Sequence, residues 1–538
     1  MALCELYALN TIAWMFWVDK VNVQLIERYS RQLLRGVLHL NSVNYYLLFA
    51  AVAVAILTPV FVIRRAAPAL FGSVCRAVDP GGSAIFGTRR IALRGVVSLL
   101  LYGCLFALLF GAARDVRAFR GEPVINLFSA LPSKAQLPRT FYDDAARPAS
   151  EDTPYSVSID PGRKNVVVIV VDALRADHLA RYGYARATTP FLSRMLENTP
   201  VLESKWSTSA CSISECGILA MLTSRPFARL NAGLLSLPEA LRRAGYGTYF
   251  AVSGDFTRAF RGLQTLVANH ARIFADGLSD DRYLSGDDRT VLRTLNQIPH
   301  SGDTPAFFYL HLLSVHRLGK RYQPPTWTPV SLMDFRTPGA QPGFRINIYD
   351  NGIRQADTVI EQILLTLKQK GYLDRAVVVV TADHGQAMGE HGKWGHGLEL
   401  YAESIDIPLF FFDTDFRASR TVPYATQLDI APTIAELVGI PIPAQWEGRS
   451  LTGTLPEIST AQTTIRRPIE AVIWRTADAS WKYLFDTADG TEQLFELRRD
   501  PGERINLIPK AEPGLLSFLR ETRIRKFNDR DTAAQDNR

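Results

Sequence analysis

Acidic and histidine side chains follow two of the apolar runs in this sequence of 538 residues. Asp172 comes directly after the run 166–171, and the pair Asp383 and His384 follows the run 377–380 within three residues. A lone Asp at such a place is commonly a helix N-cap, but an Asp-His pair after a second run is not explained by capping. Carboxylate oxygen and imidazole nitrogen together are ligands that zinc and manganese favour. The pattern therefore predicts one divalent cation held by these three side chains.

A glycine-rich segment follows the Asp-His pair and extends the candidate site. Residues 385–397 contain two further histidines, one of them His396, and loops of this composition often carry function. His316 follows a third apolar run, 307–312. His311 lies inside that run, and we interpret it as a packing residue.

Residues 207–217 are rich in hydroxyl and thiol groups and precede an apolar helical stretch, 218–223. A Ser at the start of a helix is most often a cap, but the helix dipole there also stabilises an alkoxide or a bound phosphate. A nearby metal ion lowers the pKa of a hydroxyl and neutralises developing charge. Composition alone leaves four candidates for the nucleophile: Thr208, Cys211, Ser212 and Ser214.

Short apolar runs alternate with helical patterns from residue 165 onward, which indicates an α/β domain. Continuous runs rich in β-branched and aromatic residues are typical of strands buried on both faces of a parallel sheet. Ligands gather at the carboxyl ends of such strands, where the candidate residues lie. The predicted strands are 166–171, 249–252, 307–312, 377–380 and 409–412, and the helical patterns between them include 238–244 and 353–368.

The C-terminal part has a different pattern. Short strands at 470–474, 482–485 and 492–497, followed by a helical pattern at 515–527, predict a small antiparallel subdomain. The predicted segments are 1–114 for a membrane region, 115–163 for a linker, 164–455 for the catalytic domain and 456–538 for the C-terminal subdomain and tail.

Two uncharged apolar runs near the N-terminus, residues 46–63 and 95–113, are each close to the length that spans a bilayer. A third run, 3–18, is weaker because it contains Glu5 and Asn10. The loop between the two strong runs has an excess of Arg, which places it on the cytoplasmic side. The sequence therefore predicts a multi-pass protein of the inner or plasma membrane, in contact with lipid, whose catalytic domain is periplasmic or otherwise extracytoplasmic.

The overall composition excludes several classes of protein. A hydrophobic fraction of 47% with 10% aromatic residues excludes an intrinsically disordered chain. The net charge of +7 is spread along the sequence without a nucleic-acid-binding motif, so we expect no nucleic-acid partner. Five cysteines in this length are not a disulfide framework, and only Cys211 and Cys216 are near enough to suggest a local pair.

Several motifs, in order along residues 160–510, resemble those of the sulfatase family in the alkaline phosphatase superfamily. The stretch that opens at Asp172 resembles the first sulfatase motif, and 222–226 resembles the end of the nucleophile helix. Residues 381–397 resemble the metal-binding loop. The resemblance implies an alkaline-phosphatase-like sheet flanked by helices. Further similar stretches are 349–357, 429–433, 447–451 and 494–504.

The nucleophile region departs from the sulfatase motif Cys-x-Pro-x-Arg, whose Cys or Ser is converted to formylglycine. Neither 211–215 nor 214–218 contains the Pro or the Arg. With its predicted membrane helices, the chain is closer in plan to lipoteichoic acid synthase and the phosphoethanolamine and phosphoglycerol transferases of the same superfamily. Those enzymes use an unmodified hydroxyl together with an acid after the first strand and an Asp-His pair, which here are Asp172, Asp383 and His384.

The resemblance also implies roles for single residues. Counting back eleven residues from Arg225, as in the sulfatase motif, gives Ser214 as nucleophile, whereas a register with Ser three residues after the nucleophile gives Cys211. His316 and His396 are implied to hold the phosphoryl oxygens or the leaving group. One or two divalent ions are implied, zinc or manganese before calcium or magnesium.

Three hypotheses for function follow. The first is a metal-dependent hydrolase or transferase that moves a phosphoethanolamine- or phosphoglycerol-type group on an envelope lipid or glycan through a Ser nucleophile. The second is a sulfuric ester hydrolase with an atypical nucleophile site. The third is a catalytically silent relative that binds lipid or a partner protein.

Overall fold

The computed structural model describes residues 153–527, apart from 158–159, 161, 231–232, 255, 257–266, 278–285, 328–339, 455–456, 464–467 and 477. The strands, numbered along the chain, are β1 (Asn165–Val171), β2 (Val201–Ser204), β3 (Ser207–Thr208), β4 (Gly247–Val252), β5 (Ile273–Ala275), β6 (Ala306–Leu312), β7 (Ala376–Thr381), β8 (Ala387–Met388), β9 (Trp394–Gly395), β10 (Asp406–Ile407), β11 (Leu409–Asp413), β12 (Arg420–Val422), β13 (Ala425–Thr426), β14 (Ile458–Gln462), β15 (Ile469–Arg475), β16 (Ser480–Asp486) and β17 (Glu492–Glu496). The α-helices are α1 (Pro190–Asn198), α2 (Ser214–Thr223), α3 (Leu237–Arg243), α4 (Arg289–Gln297), α5 (Ala340–Gln369), α6 (Ala402–Ile405), α7 (Ile430–Leu437) and α8 (Pro513–Phe527).

The central sheet has eight strands in the order β12-β2-β11-β7-β1-β6-β4-β5. β1 pairs in parallel with both β6 and β7, whereas β11 is antiparallel to β7 and β2. The predicted α/β fold with a mostly parallel sheet is therefore confirmed, but run 409–412 was wrongly predicted as a parallel strand. The physical reason is that the apolar pattern of a buried strand carries no direction, and the connection from β7 holds a small antiparallel pair, β8 with β9, and only the four-residue helix α6.

Successive residues of β1 pack on opposite faces of the sheet. Val166 and Val168 belong to the apolar cluster that includes α2, α3 and α7. Val167 and Ile169 belong to the cluster that includes α4 and α5. All four side chains are fully buried, as expected for a β-branched strand that helices cover on both faces.

The three strands that precede the candidate residues end at the same edge of the sheet. Val171 of β1 pairs with Leu312 of β6, and Val170 pairs with Thr381 of β7. The backbone N–H of Asp172 still donates to the Leu312 carbonyl, at 2.9 Å. Because the strands are parallel and aligned, the segments that follow them emerge side by side.

A separate antiparallel sheet, in the order β14-β15-β16-β17, forms the C-terminal part. Leu519 of α8 packs in one of its apolar clusters, and Leu400 and Ile405 pack in another. The predicted antiparallel subdomain is confirmed, and β14 is an additional strand whose mixed polarity hid it from prediction. The exact domain boundaries stay predictions.

Within the described residues, no helix combines the length and the apolar character needed to cross a membrane. The three predicted spans, 3–18, 46–63 and 95–113, lie outside the described part of the chain.

Candidate active site

The three predicted metal ligands meet at the carboxyl edge of β1 and β7. Asp172, Asp383 and His384 each offer one ligand atom, and these atoms lie within 4.8 Å of one another. All three residues are buried. The register of the sheet explains why these side chains lie close together, because Asp172 follows β1 directly and Asp383 follows β7 after a single residue.

Each of the two carboxylates keeps one oxygen without a hydrogen bond to any residue that the structure describes. Asp383 Oδ1 accepts the backbone N–H groups of Ala173 at 3.1 Å and His384 at 2.9 Å, which leaves Oδ2 unpaired. Asp172 Oδ2 accepts the Ser214 hydroxyl at 3.3 Å, which leaves Oδ1 unpaired. A buried carboxylate oxygen without a partner is costly, so this pair of oxygens fits a bound cation.

The imidazole of His384 is oriented as a metal ligand. Its Nδ1 lies 2.7 Å from the Gly385 carbonyl oxygen and therefore carries the proton that it donates there. Nε2 keeps its lone pair and lies 3.7 Å from both Asp172 Oδ1 and Asp383 Oδ2. These separations are too long for hydrogen bonds, and the three atoms are of the kinds that would hold a metal ion. A carbonyl partner on the second nitrogen is typical of metal-binding histidine.

His311 is a further member of this cluster. Its Nε2 lies 3.8 Å from Asp172 Oδ2 and 3.7 Å from Asp383 Oδ2. Neither ring nitrogen has a hydrogen-bond partner within the described ranges. The ring contacts Phe256, as the prediction of a packing residue requires. That prediction did not include the position of Nε2 beside the two carboxylates. The available signal was a titratable residue inside an otherwise apolar strand next to β1.

Burial and charge shift the pKa values of the two carboxyls in opposite directions. For Asp172, burial and the adjacent Asp383 raise the pKa well above its usual range. For Asp383, burial also raises the pKa, but the electrostatic attraction of the nearby His384 and His311 outweighs it and the net shift of the pKa is downward. A divalent cation would favour the ionised form of both carboxyls.

Ser214 is the first residue of α2 and lies beside the predicted ligands. Its Oγ is 3.1 Å from His384 Nε2 and donates to Asp172 Oδ2 at 3.3 Å. The helix is apolar around its circumference and almost wholly buried, so the core holds its first turn in place. The start of the helix also presents backbone N–H groups that favour negative charge.

The other candidates for the nucleophile have different surroundings. Cys211 is joined to Cys216 by a disulfide, with their Cα atoms 5.8 Å apart, so it has no thiolate for the role that one register assigned to it. Thr208 accepts a hydrogen bond from Arg475 at 3.3 Å. Ser212 is fully buried, and its hydroxyl has no partner among the residues described.

His316 and His396 form a chain of rings that begins at His384. The ring centroids are 4.3 Å apart for His384 and His396, and 5.2 Å apart for His396 and His316. Burial and the nearby His384 lower the pKa of His316 to about 3 and that of His396 well below its usual value, so both rings are neutral at pH 7.

Hydrogen bonds fix the tautomers of these two rings. His316 Nδ1 accepts the Leu318 N–H at 3.2 Å, so its proton is on Nε2. His396 Nδ1 lies 2.9 Å from Gln386 Oε1 and donates to it, so its Nε2 has a lone pair. The two rings thus offer one donor and one acceptor next to the cluster.

His391 of the same glycine-rich loop points toward the C-terminal part of the chain. Its Nδ1 lies 2.8 Å from Glu403 Oε1, and its Nε2 lies 3.1 Å from the Glu503 carbonyl oxygen. The ring stacks on Tyr401 at 3.8 Å. His391 therefore anchors the loop. The composition of the loop could not distinguish this structural role from the roles of His384 and His396.

Comparison with known proteins gives one family. The family model described as "Sulfatase" matches residues 164–440, just over half of the chain. Arylsulfatase K of Bos taurus is 28% identical over 172 residues, which are 29% of this chain and 32% of that protein. An arylsulfatase of Clostridium perfringens is 28% identical over 201 residues, 35% of this chain and 41% of that protein. The chain thus spans about a third of the length of the curated relatives it matches.

Solved structures confirm the fold. A 2-O GAG sulfatase has a TM-score of 0.55 at 16% identity, covering 70% of this chain and 93% of that chain. The phosphonate monoester hydrolase of Agrobacterium radiobacter has a TM-score of 0.51 at 16% identity, covering 68% and 96%. Likeness at this identity establishes the alkaline-phosphatase-like architecture and leaves the chemistry to the residues of the site.

Proposed function

The chain belongs to the sulfatase family, and from that membership we propose that it is a metal-dependent hydrolase or transferase with the Ser214 hydroxyl as nucleophile. The observation that carries the proposal is the place of Ser214 Oγ, 3.1 Å from His384 Nε2 and 3.3 Å from Asp172 Oδ2. We propose a phosphoester as the substrate, of phosphoethanolamine or phosphoglycerol type, on an envelope lipid or glycan.

The residues present fit a divalent cation. Asp172, Asp383 and His384 would hold it, and His311 is a further candidate ligand. A donor set of carboxylates and imidazoles suits zinc or manganese better than magnesium or calcium, which favour oxygen donors. When bound, such an ion lowers the pKa of an adjacent hydroxyl and neutralises charge on the group that is transferred.

In the first half-reaction the Ser214 hydroxyl attacks phosphorus and forms a phosphoserine. Its proton passes to Asp172 Oδ2, the carboxylate oxygen to which it donates. The bond from phosphorus to the departing alcohol breaks, and that alcohol takes a proton from solvent. The Nε2–H of His316 donates a hydrogen bond to a phosphoryl oxygen, which a neutral imidazole can do without losing its proton.

In the second half-reaction water or an acceptor alcohol attacks the phosphoserine. The attacking hydroxyl gives its proton to Nε2 of His396, the nitrogen that carries the lone pair. The bond from phosphorus to Ser214 breaks, Oγ recovers its proton from Asp172, and His396 releases its proton to solvent. The residues thereby return to their starting state.

The helix that carries Ser214 argues for phosphoryl over sulfuryl transfer. The sulfatase motif has an Arg four residues after the nucleophile, and here that position is Ile218, which is fully buried in the core. The cation that the motif supplies at this place is therefore replaced by an apolar side chain. The oxyanion would then be bound at the metal site and by the neutral imidazoles of His316 and His396.

Sulfuric ester hydrolysis is the second candidate function, because the curated relatives are arylsulfatases. It requires conversion of Ser214 to formylglycine in a segment that lacks the Pro and Arg of the motif. Mass spectrometry of the tryptic peptide 206–229 distinguishes the two chemistries. An unmodified Ser214 in an active protein excludes the sulfatase mechanism.

We propose that the catalytic domain is extracytoplasmic and anchored to the membrane, on the same sequence features as before. Residues 46–63 and 95–113 have the length and apolar character of membrane spans. The disulfide between Cys211 and Cys216 is consistent, since disulfides persist mainly outside the cytoplasm.

The proposal is tested with the full chain, stripped by a chelator and reloaded with zinc, manganese, magnesium or calcium. The substrates are bis(p-nitrophenyl) phosphate, p-nitrophenyl phosphate and p-nitrophenyl sulfate. We expect metal-dependent turnover of the phosphodiester that Ser214→Ala abolishes. The matched control is Ser212→Ala, a buried Ser two residues away, which should retain turnover. Turnover of the sulfate alone, or phosphodiester turnover that survives Ser214→Ala, contradicts the proposal.

A further inference from the structure

Gln427 connects the segment that precedes the nucleophile to the segment that carries the metal ligands. Its side chain is fully buried. Nε2 donates to the carbonyls of Ala382 at 3.0 Å and Asp383 at 2.7 Å. Oε1 accepts the backbone N–H of Ala210 at 3.0 Å and lies 3.0 Å from the Ser209 hydroxyl. One amide group therefore joins the end of β7 to the chain just before α2.

Three hydrogen bonds hold the amide in one orientation. Both N–H donors of Gln427 and one lone pair of its oxygen have a partner. The Ser209 hydroxyl has one proton and three acceptors within reach, which are the carbonyls of Cys211 and Asp383 and the Oε1 of Gln427. A buried polar network whose N–H donors are all satisfied holds its members in one arrangement.

The first turn of α2 approaches the same carbonyl closely. A Cβ added at Gly217 would lie 2.3 Å from the Asp383 carbonyl oxygen and 3.3 Å from Gln427 Oε1. Only glycine permits this approach of helix to backbone. Ser214 lies three residues before Gly217 on the helix, so the position of its hydroxyl depends on how near the helix lies to Asp383.

We propose that Gln427 is a positioning residue that sets the distance between the Ser214 hydroxyl and the metal ligands Asp383 and His384. It acts through the backbone of Asp383 and Ala210 and not through the reacting atoms. The catalytic consequence rests on the proposed function, whereas the effect on geometry and metal affinity does not.

Two substitutions of Gln427 and one matched control test the proposal. Gln427→Met removes the hydrogen bonds of the amide at similar volume, and Gln427→Glu keeps the acceptors but loses the N–H donors. The control is Asn165→Leu, at the opposite end of β1. The Asn165 amide is also buried, donates to the Tyr372 carbonyl at 2.9 Å and accepts the Ala306 N–H at 2.8 Å. Asn165→Leu therefore removes the same kind of hydrogen bond far from the site.

The experiment has three readouts on the full chain: crystal structures superposed on β1 and β7, the zinc Kd by competition with a chelating dye, and kcat with KM. In Gln427→Met we expect the distance from Ser214 Oγ to His384 Nε2, 3.1 Å in the parent, to change by about 0.5 Å or more. We expect the zinc Kd to rise about 10- to 100-fold and kcat to fall by a similar factor, with KM little changed. Gln427→Glu should change all three in the same direction, because it sets a carboxyl oxygen against the carbonyl oxygens of Ala382 and Asp383.

Asn165→Leu should lower the melting temperature and leave the other readouts as in the parent. The proposal is overturned if Gln427→Met keeps the parent distance, or if its zinc affinity falls no further than that of Asn165→Leu. If the parent turns over none of the esters, the proposed function fails on its own. The measured distance then still decides the role of Gln427.

Discussion

Two clusters of side chains, each with a histidine and at least one buried carboxylate, differ in how completely they are hydrogen-bonded. We call them the site cluster (Asp172, Asp383 and His384) and the support cluster (His178, Tyr184, Arg186 and Asp350). In the site cluster each carboxylate keeps one oxygen unpaired within the described part of the chain. In the support cluster both oxygens of the single carboxylate have partners.

The support cluster shows how this protein stabilises a buried carboxylate with its own residues. Asp350 is fully buried, and its Oδ1 lies 2.8 Å from His178 Nδ1. Its Oδ2 accepts the Tyr184 hydroxyl and the Arg186 guanidinium, each at 2.7 Å. The residue types of the two clusters overlap, so the unpaired oxygens are what distinguishes a ligand set from a structural ion pair. The site cluster therefore fits a cation supplied from outside the chain, whereas the carboxylate of the support cluster is satisfied by its neighbours.

Of the substitutions that distinguish the two clusters, Asp383→Asn is expected to have the largest effect. The amide keeps an oxygen for the N–H groups of Ala173 and His384 but removes the charge that a cation requires. We expect loss of zinc binding and a fall in phosphodiester turnover on the order of 10³-fold or more, because catalytic groups act as a unit. The measurements are zinc content after dialysis and kcat/KM. Parent-like zinc binding by Asp383→Asn would show that the site cluster is not the ligand set.

The opposite pattern is expected from Asp350→Ala in the support cluster. Removing the carboxylate leaves His178, Tyr184 and Arg186 without their shared partner. Breaking a buried charged network in this way costs about 3–5 kcal/mol of unfolding free energy, which urea denaturation measures. The zinc Kd of the folded protein should stay at the parent value. A zinc affinity that falls together with stability would mean that the two clusters behave as one unit.

The disulfide beside the site cluster gives a smaller effect and tests a different kind of constraint. Cys211 and Cys216 enclose Ser214 in a short covalent loop, with a sequence separation of five. Replacing both by Ala should lower the unfolding free energy by about 2 kcal/mol, the loop-closure value for so short a loop. Phosphodiester turnover should persist at a reduced level, since the hydroxyl remains. Turnover as low as in Ser214→Ala would give one of the cysteines a chemical role.

The site cluster could be predicted from sequence because its members obey a local rule. Each follows an apolar strand, and parallel strands bring their carboxyl ends together. The same reasoning found five of the eight strands of the central sheet and missed the short strands β2, β5 and β12. It assigned β11 the wrong direction, because a buried apolar run reads alike in both directions. His311 was missed for a related reason, since its position inside β6 resembles that of any packing residue.

The rest of the site depends on contacts that leave no local pattern. Ser214 needed a register borrowed from a family resemblance, and the structure then placed its hydroxyl beside Asp172 and His384. Gln427 joins a backbone amide that is 217 residues away along the chain, and its own surroundings in sequence show only the start of a helix. Such positioning residues become visible only when the hydrogen bonds of buried backbone are traced.

The smallest expected effect concerns the stability of the site cluster without metal. In chelator-treated protein the carboxyls of Asp172 and Asp383 face each other without a cation, and Asp172→Asn removes one of them while keeping an acceptor for Ser214. We expect the variant to gain about 1 kcal/mol of unfolding free energy over the parent at neutral pH, because burial and Asp383 raise the pKa of Asp172 and an amide avoids the cost behind that shift. Excess zinc should reverse the order, because the parent gains ligand-binding free energy that the variant lacks. Thermal unfolding without zinc and with excess zinc measures the difference in stability between variant and parent under both conditions. A metal-free variant less stable than the parent would show that the unpaired oxygens are satisfied within the protein, and the two clusters would then differ in degree and not in kind.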